Sequence, residues 1–125
     1  MANIGWIAVG GGLGAVVRHL MASGIQSAVP GFKPFGTMAV NVLGCLLVGI
    51  VMAWIVRQKA VGSPLHLFLV IGILGGFTTF SAFGYETVNL IEQRQLSSAL
   101  LNVVGNLALG IPAVFLGMKI VEWWR

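Results

Sequence analysis

Charge is the scarcest feature of this 125-residue chain: charged residues make up 8% of it, against a hydrophobic share of 58% and a mean hydropathy of +0.98. A water-soluble domain carries roughly 25% charged residues to keep its surface solvated, so that class is excluded. Disorder is excluded for the opposite reason, because so apolar a chain cannot stay solvated. Cysteine is nearly missing: Cys45 stands alone, which removes an intrachain disulfide framework and any signal of redox compartment. Histidine is limited to His19 and His66, and both precede Ser81, whereas an intramembrane serine protease needs its histidine on a later helix. No His, Cys or carboxylate ligands share a helix at the spacing of a hydrolytic metal site. The run Gly10-Gly11-Gly12-Leu13-Gly14 follows no strand and lacks the Lys-Ser/Thr of a phosphate loop. An enzyme is therefore not expected. The N-terminus has neither a basic n-region nor an A-x-A site, so a cleaved signal peptide is not expected either. Alternating segments of about 10 residues are absent as well, which excludes an outer-membrane barrel. What remains is an all-α integral membrane protein.

The few charges delimit the spans. Residues 1–17, 34–56, 60–85 and 95–118 are free of charge, stretches of 17, 23, 26 and 24 residues. A helix needs about 20 apolar residues to cross a hydrocarbon core ~30 Å thick, so one domain of four transmembrane helices fits, at about 4–24, 36–56, 64–92 and 98–120. The net charge of +4 and pI near 10 do not indicate nucleic acid, because the basic residues sit singly at span ends, where they anchor at headgroup level.

The first span contains Gly10-xxx-Gly14, two bare backbone patches on one face where another helix can approach. Pro30, Gly31 and Pro34 end it and open the next loop. The second span carries Thr37 and Asn41 at i, i+4, a polar pair on one face that lipid solvates poorly. Ser63-Pro64 reads as the N-cap and first position of the third span. As one straight helix, residues 64–92 would measure about 43 Å, more than the hydrocarbon core. Their middle reads Gly75-Gly76-Phe77-Thr78-Thr79-Phe80-Ser81, weak helix at mid-membrane depth, so a break is expected near 75–80. Non-helical backbone at that depth must be buried in protein or line a wet cavity, and a bound cation is one candidate partner for the freed carbonyls. In the fourth span Asn102 and Asn106 share a face, and Pro112 predicts a kink. The two amides fit either a polar track or interhelical hydrogen bonding.

Orientation is nearly undecided. The side of the termini holds Arg57, Lys59, Lys119 and Arg125, and the other side Arg18, Lys33 and Arg94. Four basic residues against three give the positive-inside rule little to act on, so two oppositely oriented copies could pair about a two-fold axis in the membrane plane. Trp6, Trp54, Trp123 and Trp124 all fall on the terminal side and mark an interface without choosing a compartment. Arg18 and Glu86 are the charges closest to span interiors. Each is a functional candidate, with snorkelling for Arg18 and pairing or capping for Glu86 as the plain alternatives. Phe77, Phe80 and Phe83 repeat every three residues. They read as core packing or as electropositive ring edges facing an anion, which would also need donors such as Asn41, Thr37, Asn102 or Asn106.

Three motifs carry a resemblance: Gly11-xx-Gly14-Ala15-xx-Arg18, Gly36-Thr37-xxx-Asn41-xx-Gly44, and Gly75-Gly76-Phe77-Thr78-Thr79-Phe80-Ser81-Ala82-Phe83. In these, and in its length and span count, the chain resembles the Fluc fluoride-channel family of bacteria. The resemblance implies an antiparallel, dual-topology homodimer in the inner membrane that exports fluoride passively through two pores. It implies that Phe80 and Phe83 meet fluoride with their ring edges and that Asn41 donates to it, with Ser81, Thr37, Asn102 and Asn106 completing the polar lining. It places Arg18 near the aqueous vestibule and Glu86 as the acid after the phenylalanines. Backbone carbonyls of Gly75 and Thr78 from both subunits would hold one structural Na⁺ at the dimer axis. This chain has Ala82 where members often carry a hydroxyl, and its fourth-span face reads Asn102, Asn106, Gly110, Val114. Two other functions compete, a four-span proton-coupled multidrug exporter and a non-conducting scaffold. The exporter requires a glutamate in the first span, and no acid precedes Glu86.

Overall fold

A computed structural model describes residues 2–124. They form four helical spans long and apolar enough to cross a membrane: Asn3–Ala28, Phe35–Arg57, Pro64–Glu92 and Leu96–Trp123. The first runs 11 residues beyond the charge-free stretch that ends at residue 17, the third seven beyond residue 85 and the fourth five beyond residue 118, whereas the second passes residue 56 by one. A helix end need not stop where the hydrocarbon does, because long basic side chains carry the last turn into the headgroups. The fourth helix continues through Pro112.

The third span is interrupted. Its N-terminal arm is an α-turn at Pro64–His66, a π-helical stretch at Leu67–Leu74 and a further α-turn at Gly75–Phe77. Ser63 caps it as its sequence predicts, the hydroxyl accepting from His66 N at 3.2 Å. Thr78 and Thr79 are then extended, with φ/ψ of −85°/154° and −150°/118°. Helix resumes over Phe80–Glu92, the C-terminal arm, with Thr79 as N-cap accepting from Ala82 N at 3.2 Å. The break is narrower than its sequence predicts. Gly75 and Gly76 stay helical, and the two β-branched threonines, whose side chains crowd the preceding turn of a helix, take the extended conformation.

Glycine decides which helices touch. The first span packs on the N-terminal arm of the third through Gly10 and Gly14 on one side and Gly72 and Gly76 on the other. A Cβ on Gly10 would come to 3.0 Å from Gly72 Cα, and one on Gly14 to 2.9 Å from Phe77 N. These are two facing small-xxx-small stripes, of which Gly72-xxx-Gly76 is visible in the sequence as spacing but easily overlooked inside an apolar run. The second and fourth spans form a comparably extensive pair, meeting where a Cβ on Gly49 would lie 3.2 Å from Gly117 Cα. The C-terminal arm packs on the fourth span. Little is fully enclosed by one chain: Val40, Ile55, Phe77, Leu90 and Asn102 are among the few buried residues, while most large apolar side chains face outward. Outward apolar faces suit lipid or a second copy and do not suit water.

Candidate functional site at the helix break

The break brings the second, third and fourth spans together. Thr37 and Asn41, one turn apart, both reach the third span. The Thr37 hydroxyl donates to Glu86 Oε1 at 2.6 Å, and Asn41 meets Thr79. Asn41 binds that residue at two points: its Oδ1 accepts from Thr79 N at 2.9 Å, and its Nδ2 donates to Thr79 O at 3.1 Å. One carboxamide thus replaces the partners that a helical Thr79 would find along its own chain. The second hydrogen of Asn41 Nδ2 goes to Asn106 Oδ1 at 3.1 Å. Both donors of Asn41 are therefore engaged, and donation to an anion requires one of them to be exchanged.

Phe77, Phe80 and Phe83 divide at the break. Phe77 is 4% exposed and packs beside Gly44, whereas Phe80 is 81% exposed. Phe80 and Phe83 lie on the resumed helix with ring centroids 5.4 Å apart and planes tilted by 54°. The three-residue stripe therefore divides, with the first ring in the core, Phe80 exposed and Phe83 half-buried beside it.

Two hollows flank Thr79. One of about 460 Å³ is mostly apolar and includes Asn41, Gly75, Thr78, Phe80, Phe83 and Asn106 in its wall. The other, of about 530 Å³, is more polar and includes Arg18, Thr37, Ser81 and Tyr85. The sites expected from sequence fall into three groups. Asn41, Asn106, Phe80 and Phe83 share the first hollow, and Arg18, Thr37 and Ser81 share the second. Ser81 Oγ also lies 3.2 Å from Thr79 Oγ1. Asn102 joins neither wall. It is fully buried, with Nδ2 on Thr87 Oγ1 at 3.0 Å and Oδ1 accepting from Asn106 Nδ2 at 3.0 Å. Glu86 has its second oxygen, Oε2, buried without a hydrogen-bond partner among the described residues. Thr87 carries no signal in the sequence beyond being a threonine in a helix, and only the fold shows its link to Asn102.

The backbone at the break also releases acceptors. In an uninterrupted helix Gly75 O would accept from Thr79 N and Thr78 O from Ala82 N. Thr79 N is bonded to Asn41 Oδ1 and Ala82 N to Thr79 Oγ1, so both carbonyls lose those donors. Uncharged carbonyl oxygens are ligands for a hard cation, and no group of three or more His, Cys, Asp or Glu suited to a metal occurs among the described residues.

Four apolar spans, one of them broken with polar groups gathered at the break, define a multi-pass membrane protein. Comparison with known proteins narrows the class. Residues 5–118 match the model of the family described as CrcB-like protein, Camphor Resistance (CrcB). The chain is 43% identical over 118 residues to the fluoride-specific ion channel FluC of Geobacter sulfurreducens, covering 94% of this chain and 95% of that one. It is 40% identical over 125 residues to FluC of Novosphingobium aromaticivorans and 38% over 122 residues to that of Flavobacterium psychrophilum, each at 98% of both chains. The chain belongs to the CrcB family.

Proposed function

We propose that this protein is a fluoride-selective passive channel of the bacterial inner membrane. The observation that carries the reading is the Phe80–Phe83 pair, lining one hollow with Asn41 at the break, in a chain whose relatives are named fluoride channels. Ring edges attract a small anion without binding it as tightly as a cation would, so a phenylalanine pair favours entry and still permits exit. Asn41 supplies a donor when it exchanges one of its two protein acceptors for the ion. Arg18, in the more polar hollow with Thr37 and Ser81, draws anions from water towards the break.

The working unit is an antiparallel homodimer with two pores, its break at mid-membrane. The near balance of basic residues on the two sides supports insertion in both orientations, and the largely exposed Phe80 and the outward apolar faces supply a surface for a second copy. The released carbonyls of Gly75 and Thr78 fit a structural Na⁺, to which two copies would contribute four uncharged oxygens. A proton-coupled exporter remains disfavoured by the lack of an acid before Glu86. Expression in bacteria stripped of fluoride export should restore growth on fluoride and leave sensitivity to cationic drugs unchanged. Drug resistance without fluoride resistance would reverse the reading.

A further inference from the structure

The three asparagines form one directed chain of hydrogen bonds, and its two ends fix its polarity. At one end Thr79 N can only donate, so the atom of Asn41 that faces it is Oδ1. Asn41 Nδ2 must then face Asn106, whose Oδ1 accepts at 3.1 Å. That turns Asn106 Nδ2 towards Asn102, where it meets the backbone O at 2.9 Å and Oδ1 at 3.0 Å. Asn102 Nδ2 is left facing Thr87 Oγ1 at 3.0 Å, with a longer 3.5 Å contact to Phe83 O. The Thr87 hydroxyl donates in turn to Phe83 O at 2.8 Å. The chain begins at the peptide N–H of Thr79, the N-cap of the C-terminal arm, and ends at the carbonyl of Phe83, so its two ends grip the segment that carries both phenylalanines. Every amide hydrogen of the three asparagines is committed to a protein acceptor.

We propose that Thr87 and the buried Asn102 are positioning residues: they orient Asn106, which accepts the second hydrogen of the Asn41 amide, and through Phe83 O they fix the backbone that carries the phenylalanine pair. Asn102 touches neither hollow, so it acts on a permeating anion only through these neighbours. Removing one link frees Asn106 to rotate, which takes from Asn41 Nδ2 the acceptor of its second hydrogen while Thr79 still holds Asn41 at two points, and so changes the donors that the anion meets. The inference rests on the reading that Asn41 and Phe83 line the conducting path.

The test measures fluoride and chloride efflux from proteoliposomes for Thr87→Val, Asn102→Leu, their double variant and Thr87→Ser, with Asn41→Ala and Phe83→Ile as direct probes of the path. Thr87→Val and Asn102→Leu should each lower the fluoride-over-chloride ratio by about tenfold, the double variant should be no worse than the poorer single, and Thr87→Ser, which keeps the hydroxyl, should restore the ratio. A merely structural role would reduce the number of active channels and leave that ratio unchanged. Thr87→Val keeps shape and burial, and so decides the matter if Asn102→Leu does not assemble. Wild-type ratios in Thr87→Val and Asn102→Leu, beside reduced flux in Asn41→Ala and Phe83→Ile, would overturn the positioning role alone. Unchanged flux in Asn41→Ala and Phe83→Ile would overturn the path reading, and this inference with it.

Discussion

At residue scale, the proposed passage rests on the exposed Phe80 and half-buried Phe83 beside a fully engaged asparagine, groups that would attract an anion weakly and hold it briefly. Replacing Phe80 or Phe83 by isoleucine removes the electropositive ring edge and keeps the apolar bulk. A ring-edge contact on the scale of an aromatic pair, about 0.5–1.5 kcal/mol, would lower fluoride flux by up to roughly tenfold on its loss, with the elution position on size-exclusion chromatography unchanged. Unchanged flux in both variants would return the pair to ordinary packing. Thr37→Val should act differently, because it takes from Glu86 Oε1 its 2.6 Å donor and leaves the carboxyl with no side-chain partner on the second span. Burying a polar group without its bond costs about 1–3 kcal/mol, measurable as a lower unfolding temperature in detergent. Asn41, Phe80 and Phe83 were legible in the sequence because a motif marks them. The direction in which Asn102 points was not, since an i, i+4 pair shares a face whichever neighbour that face meets. Nor was Thr87, whose partner lies 15 residues away on another helix.

At element scale, the order of spans and the broken third helix follow from composition, and the manner of the break does not. Glycines 75 and 76 have the weaker helix propensity, yet the chain opens at Thr78–Thr79, where Asn41 offers a substitute for both peptide groups of Thr79. A tertiary partner thus outweighs local propensity. The π-helical stretch at Leu67–Leu74 has no signature in a uniformly apolar run, and it lies where the first span approaches most closely. Gly14→Ala should therefore be severe, since its Cβ would meet Ile73 O and Phe77 N on an unyielding backbone. Overpacking of this kind costs about 1–3 kcal/mol, to be read as lost thermal stability of the purified protein. Gly12→Ala is the matched control, with nothing within 4 Å of its Cβ, and should be neutral or slightly stabilising.

At the scale of the whole molecule, one chain encloses too little to make a pore alone. The hollow lined by Phe80, Gly75 and Thr78 is open to its surroundings, and most large apolar residues face outward. In the proposed antiparallel pair two oppositely inserted copies would close that surface, and the near balance of basic residues on the two sides permits such insertion. Adding Gln58→Lys and Val61→Lys on the loop beside the termini, or Gln95→Lys and Ser97→Lys on the opposite side, should force one orientation each. Either variant alone should lose fluoride resistance in cells, and co-expression of the two should recover it. Full resistance from each alone would exclude an antiparallel pair. The central claim is selectivity for fluoride, and ion efflux from liposomes containing the purified protein measures it directly. Rapid fluoride release with chloride retained is the expected outcome, and equal release of the two ions would contradict it.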